Sequence, residues 1–258
     1  MNRRLKKNFD LFIGKEFDTT KSGKCFIIDY KGSRDVTVMF YDGYCKKVEL
    51  KELRTGKIRN PFSEGFLVFG EGICDVFTQV NGEDSKEYKL WRSMLERCYS
   101  EKYHEKKPTY KACEVCDYWK LFSNFRATVH KMSNFDKSLS EGWHLDKDIL
   151  VRGNKVYSAE TCCFVPSEIN SLLNTNRKLR KELPLGVSYI KQDGKYAACL
   201  STYNKSTTLS VHCTPEGAFL AYKQAKEAHI KEVAEKWKEQ IDSRVYDALM
   251  NWTVEIDD

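Results

Sequence analysis

No apolar run in this sequence approaches the roughly 20 residues that a membrane-spanning helix needs. No apolar core follows the basic opening MNRRLKKNFD, so no secretory leader is read there and a cytoplasmic protein is expected. Proline is scarce, at 5 of 258 residues. A dominant charge is missing too, since 43 Lys and Arg against 37 Asp and Glu leave a net +6. That excess permits a polyanionic partner without demanding one, because it serves solubility equally well. What is present is a globular composition. With 41% hydrophobic and 31% charged residues the chain can bury a core, and global disorder is excluded. Aromatics reach 13%, including 14 Tyr, which suits a nucleic-acid surface or a small β-rich core. The 10 cysteines of an intracellular chain read as thiols, and most sit singly in apolar runs as small hydrophobes do.

The texture predicts an α+β protein in three parts. Residues 1–80 read as a small β module. KCFIIDYKGSRDVTVMFYDGYCKKVELKEL alternates apolar and polar residues around Gly32-Ser33 and Asp42-Gly43, and three short strands in so few residues predict an SH3-like, barrel-like module. Residues 85–175 form the second part. Tyr88, Trp91, Met94, Leu95 and Cys98 are spaced as one helix face, and Trp119, Phe122, Phe125 and Val129 as another. A strand, a loop, a strand and a short helix from about Ser167 follow, with Pro166 at the helix start. Residues 174–182, NTNRKLRKE, carry four positive charges without apolar periodicity; they read as a solvated linker or as one that tracks phosphates. Residues 183–258 form the third part, three strands and a long helix opened by Thr214-Pro215-Glu216. Its apolar stripe continues through Val245, Leu249 and Trp252 and needs a further surface, in the same domain or on a dimer partner. The chain is thus expected as a monomer or homodimer.

Two clusters carry candidate chemistry. Cys113-x-x-Cys116 with Cys162-Cys163 and His144 has some features of a zinc site. A structural zinc is nevertheless not expected, because adjacent cysteines rarely chelate one ion as a pair and no second CxxC exists. The other cluster gathers His144, Asp146, Lys147, Asp148, Asn154, Thr161, Glu168 and Asn170 around the strand–loop–strand–helix. A carboxylate at a strand end facing an amide on a helix is a seat for a hard divalent cation, with a nearby His to deprotonate water. By pattern alone such a turn is more often a solvated surface.

The segments WHLDKDILVRGNKVYSAETCCFVPSEIN and, before it, YKLWRSMLERCYSEKYHEKKPTYKACEVCDYWKLFSNF resemble the HNH homing endonucleases of bacteriophages over residues 86–175. The resemblance implies a ββα-metal fold that cuts DNA phosphodiesters with one divalent ion, Mg²⁺. The family's acid–His pair aligns onto Asp146, a metal ligand, and Lys147, which stands at the general-base position. The middle Asn of the motif falls near Thr161, and the last metal ligand near Asn170 or Asn174. His144, two residues before Asp146 on the same strand face, is an alternative base. The third part resembles the AP2 DNA-binding domain through Gly186-Val187, Lys195-Tyr196-Ala197, Thr214-Pro215-Glu216, Ala218, Ala221 and Tyr222. That resemblance implies a sheet lying in the DNA major groove. Ala198, Leu200, Leu209 and Val211 are expected beneath the helix. Tyr189, Lys191, Lys195, Ser201, Tyr203, Lys205 and Thr207 are expected on the outer, DNA-facing side, together with Arg177, Lys178 and Arg180 of the linker. The β module resembles one that precedes HNH domains in phage proteins, through Gly56 to Pro61; Arg3-Arg4 and Lys6-Lys7 are a DNA-contacting arm or a solvated terminus. Double-stranded DNA is the expected partner, and the expected function is sequence-specific nicking or cutting. The alternatives are a catalytically impaired DNA-binding regulator or phage anti-defence factor, or a protein inhibitor with an aromatic surface.

Overall fold

The computed structural model describes residues 12–63, 66–173, 183–202 and 205–256. The chain is mixed α and β. It divides into two compact units, Met1–Thr128 and Val129–Asp258, and the division falls inside the 85–175 span expected as one part. Among the described residues no helix is long and apolar enough to cross a membrane.

The first unit opens on an antiparallel sheet of β1 (Glu16–Asp18), β2 (Lys24–Gly32), β3 (Asp35–Phe40) and β4 (Cys45–Val48), in the order β1-β2-β3-β4. Its alternation buries Cys25, Ile27, Val36, Val38, Phe40 and Val48 on one face, against Leu50 and Leu53 of helix α1 (Leu50–Thr55) and Ile58. The predicted Asp42-Gly43 turn forms, with Gly43 at φ 87° and the Asp42 carboxylate accepting from the Tyr44 N–H at 3.0 Å. Among the described residues the expected barrel is not closed. The order β1-β2-β3-β4 is that of an open sheet, closed over by one short helix instead of by a pairing of its edges.

A short hairpin of β5 (Gln79–Val80) and β6 (Glu83–Asp84) leads to α2 (Lys86–Tyr99). Ser85 caps α2 by accepting from the Tyr88 N–H at 3.2 Å, and Trp91, Met94, Leu95 and Cys98 are buried as their spacing predicts. Helix α3 (Glu101–Lys106), β7 (Glu114–Val115), α4 (Asp117–Lys120) and α5 (Phe122–Val129) follow. The single helix predicted over DYWKLFSNFRATVHKM is therefore two. Leu121 is extended, and the backbone on either side of it pairs with Ile73, whose N–H donates to the Lys120 carbonyl at 2.8 Å and whose carbonyl accepts from Phe122 at 2.9 Å. A β-bridge has taken the hydrogen bonds that a continuous helix would have used.

The second unit runs through α6 (Phe135–Ser140), β8 (His144–Asp146), β9 (Val156–Tyr157), β10 (Cys163–Val165) and α7 (Ser167–Leu172). Strands β8 and β10 pair antiparallel, and α7 packs on β8, giving a ββα unit. The antiparallel sheet β11 (Val187–Ile190), β12 (Lys195–Thr202) and β13 (Lys205–His212) then carries α8 (Pro215–Trp237) across one face, and α9 (Ser243–Met250) closes the unit. Thr214 is the N-cap of α8, accepting from the Gly217 N–H at 3.2 Å, with Pro215 in the first turn. Gly186 is needed where it stands: a Cβ there would lie 2.1 Å from the Tyr222 ring.

One hydrophobic core runs through this whole unit. It joins Ile149, Val165, Ile169 and Leu172 of the ββα region to Ala198 of the sheet and to Tyr222, Ile230, Val233, Val245 and Leu249 of the closing helices. The long C-terminal stripe is thus covered within its own unit and requires no second copy. Trp143 and Trp237 meet edge to face at 5.8 Å, and the Lys226 ammonium donates to the Leu172 carbonyl at 2.8 Å, satisfying the C-terminal end of α7.

Candidate active site

The ββα unit is organised by Asp146, at the end of β8. Its Oδ1 accepts from the N–H groups of Asp148 and Ile149 at 2.7 and 2.9 Å and so turns the chain out of the strand. Oδ2 has no hydrogen-bond partner among the described residues. Burial pushes the Asp146 carboxyl above its ordinary value; the two backbone N–H groups only partly offset this, and neighbouring Asp148 adds to it. A desolvated carboxylate with a bare oxygen and no direct cation contact is a site that a positive charge would stabilise.

Lys147 does not supply that contact. It is 4% exposed, and its Nζ donates to Asp148 Oδ1 at 2.6 Å and to the Asn154 carbonyl at 3.0 Å. Asn154 returns the bond, its Nδ2 donating to the Lys147 carbonyl at 2.8 Å and to the Val156 carbonyl at 2.7 Å. The two residues form a reciprocal clasp across the loop between β8 and β9. A lysine held in this way braces the loop. Thr161, near the position expected for the motif's middle Asn, is likewise bound into the loop: its hydroxyl donates to the Val156 carbonyl at 2.8 Å and lies 3.1 Å from Ser158 Oγ. Clasp and hydroxyl bonds together hold the backbone from which Asp146 projects.

His144 is exposed on β8, two residues from Asp146 and on the same strand face. Asn170 is half-buried on α7, the helix packed on β8. Asp146, His144 and Asn170 are thus carried by the two packed elements of one ββα unit, and the donor set of carboxylate, imidazole and amide suits a hard cation that keeps several waters. Among the described residues no three His, Cys, Asp or Glu side chains converge as a metal-holding group. Glu168 is engaged elsewhere, accepting from Lys236 at 2.7 and 3.0 Å and from Trp237 Nε1 at 2.7 Å. Cys162 and Cys163 are buried, and burial pushes the Cys162 thiol up to about 12 and that of Cys163 higher still, so both remain neutral apolar groups. Asn174, Arg177, Lys178 and Arg180 lie outside the described residues.

The C-terminal sheet does not gather its expected DNA-facing residues on one side. Val187 pairs with Ala198 and Tyr189 with Tyr196, which puts all four on the helix side; Ser188 pairs with Ala197 and Ile190 with Lys195 on the outer side. Lys195 is therefore outward and exposed, whereas Tyr189 lies on the other face, 5.2 Å from the Tyr196 ring. Lys191 is exposed in the turn after β11. Tyr203 lies outside the described residues, and Lys205 is described only as a backbone pairing with Thr202. Leu209 and Val211, expected beneath the helix, are 40% and 48% exposed. The cause is a β-bulge. Ala198 pairs with Ser210 while Cys199 pairs with Thr208, so Leu209 is an extra residue and the alternation of β13 is reset. Val211 then pairs with Ala197, on the outer side. Strict alternation in the sequence conceals such an insertion.

No protein-family model, no curated protein and no solved structure matches this chain.

Proposed function

We propose that this chain binds double-stranded DNA sequence-specifically and hydrolyses a phosphodiester with one divalent metal, Mg²⁺, in the manner of the phage HNH homing endonucleases, acting in the cytoplasm of an infected bacterial cell. The observation that supports this most is the Asp146 carboxylate, desolvated and with Oδ2 free, at the end of a strand whose same face carries His144. Asp146 and Asn170 would hold the ion, with Asn174 as the alternative helix ligand. When bound, the ion would supply positive charge to the phosphate and to the departing oxygen. His144 takes a proton from the attacking water as its oxygen bonds to phosphorus and the bond to the leaving sugar oxygen breaks. Lys147 and Asn154 keep the turn closed, so Asp146 stays aimed. Lys195, Lys191 and the basic linker hold the duplex through its phosphates.

A second reading has its own support. The family's base position holds a buried, ion-paired Lys147, and the Thr161 hydroxyl is spent inside the loop. Both fit a descendant that binds DNA as a regulator or anti-defence factor without cutting it.

A supercoiled plasmid carrying the chain's own genetic locus separates the two. Nicking that requires Mg²⁺ and falls by about two orders of magnitude or more in Asp146→Asn supports the nuclease. That variant leaves an oxygen to accept from Asp148 and Ile149, so the fold is kept while the charge is lost. Salt-sensitive binding with no nicking supports the regulator, and no DNA binding at about 50 mM salt removes both.

A further inference from the structure

We propose that Val211 and Leu209 read the 5-methyl groups of thymine in the major groove, so that the outer face of the C-terminal sheet selects A·T base pairs at defined positions. This rests on the reading that the sheet meets DNA. It assigns specificity to two residues whose sequence pattern had placed them under the helix.

Neither Val211 nor Leu209 joins the core of its unit, although both are large and apolar and 48% and 40% exposed. The register sets Val211 opposite Ala197, on the face away from α8, and the bulge leaves Leu209 exposed and without a pairing residue two positions before it. Leaving apolar side chains exposed costs burial, and a bulge costs a ladder hydrogen bond, so the arrangement asks for an occupant. Beside Val211 the outer face carries small groups on its central strand, Ala197 and Cys199, and Ser188 on its edge strand. Val211 stands proud of them.

Charge chooses the occupant. β11, β12 and β13 contain no Asp or Glu, Lys195 is exposed on the same face, and Lys191 is exposed beside it. A second copy paired through this face would bring lysines together with no carboxylate from the strands to meet them. Duplex DNA brings phosphates to the lysines and, in the major groove alone, the thymine methyl to an apolar side chain. Three strands spaced by about 4.8 Å make a face roughly 10 Å across, which a groove about 12 Å wide accepts.

The test removes the methyl from the DNA and the apolar group from the protein in turn. Two fragments of identical sequence spanning the chain's own locus are amplified, one with dTTP and one with dUTP, which differ only by the 5-methyl. Binding is measured by mobility shift at about 50 mM salt. The wild-type chain should bind the thymine fragment tighter by about fourfold for each methyl contact. Leu209→Ser/Val211→Thr should bind both fragments equally, at the wild-type level for the uracil fragment. Val211→Thr alone keeps the β-branched shape and should lose part of the preference; its circular-dichroism melt verifies folding. Equal wild-type binding to both fragments overturns methyl reading and leaves the DNA reading standing. A double variant that keeps the preference shows that other residues read the methyl and overturns the assignment. Binding to neither fragment overturns the DNA reading and this inference with it.

Discussion

The ββα turn and the C-terminal sheet share one core but treat polar and apolar groups in opposite ways. Around Asp146 almost every polar side chain is tied to backbone within a few residues: Asp146 to the N–H groups of Asp148 and Ile149, Lys147 and Asn154 to each other's carbonyls, Thr161 to the Val156 carbonyl. The sheet leaves Lys195 exposed, puts Val211 on its outer face and leaves Leu209 exposed at a bulge. A turn wired in this way resists motion and can aim one carboxylate. A face that spends few of its side chains internally can be recognised by something else. Under the proposed function, aiming would fall to the turn and recognition to the sheet, two elements that share one hydrophobic core.

The largest expected effect tests that link. Ile169 is fully buried on α7 in the shared core, and Ile169→Ala should cost about 2–4 kcal/mol. Hydrogen exchange should show β8–β10 and β11–β13 losing protection by the same free energy. Loss confined to the ββα unit would mean that the two regions unfold separately.

The clasp comes next. Lys147→Met leaves the Asn154 carbonyl and Asp148 without their donor and should cost about 1–2 kcal/mol in urea unfolding. If the proposed nuclease reading holds, with His144 as the base, nicking by Lys147→Met should keep the wild-type pH profile. An acid limb that disappears in Lys147→Met, with His144 intact, would return Lys147 to the chemistry.

The smallest effect concerns Glu168, which ties α7 to α8 through Lys236 and Trp237. Burial works to raise its carboxyl, but the hydrogen bonds from Lys236 and Trp237 prevail and hold it below the ordinary 4.5. Its contribution is therefore present above that value and lost as the pH falls through the lowered one. The unfolding free energy of the wild type, from urea titration, should drop on acidification below about pH 4.5 more than that of Glu168→Gln, by a few tenths to about 1 kcal/mol. Asp146 has the opposite sign. Its carboxyl is raised, so ionisation weakens the fold as the pH climbs past the ordinary 3.8, and Asp146→Asn should lack that slope.

Local signals carried much of this structure. Thr214-Pro215 starts α8 because cap and first-turn preferences act over three or four residues, and Asp42-Gly43 turns β3 into β4 for the same reason. The spacing of Trp91, Met94, Leu95 and Cys98 sufficed for α2. Where a distant strand or backbone competes, reading fails. Ile73 splits the helix predicted through Leu121, the bulge at Leu209 resets β13, and the four described strands of the first sheet stay open. Within the candidate site, the resemblance pointed to Asp146 and Asn170, and the spacing of two along one strand pointed to His144; the structure carries them on β8 and on α7, the helix packed on it. The occupation of Lys147 was not, because its partners Asp148 and Asn154 are defined by how the loop folds back.

The scarcity of long apolar runs and of one-signed charge left a mixed α and β chain with modest positive charge, and periodicity alone placed most of its helices and strands. Those properties are local, set by side-chain chemistry within a turn or a pair of residues. Only the tertiary structure decided that the ββα unit and the C-terminal sheet are one body, that the C-terminal stripe is covered without a second copy, and which side of β13 meets solvent. Each of these depends on pairing between residues far apart in the chain, where a single inserted residue changes the face that every later side chain presents.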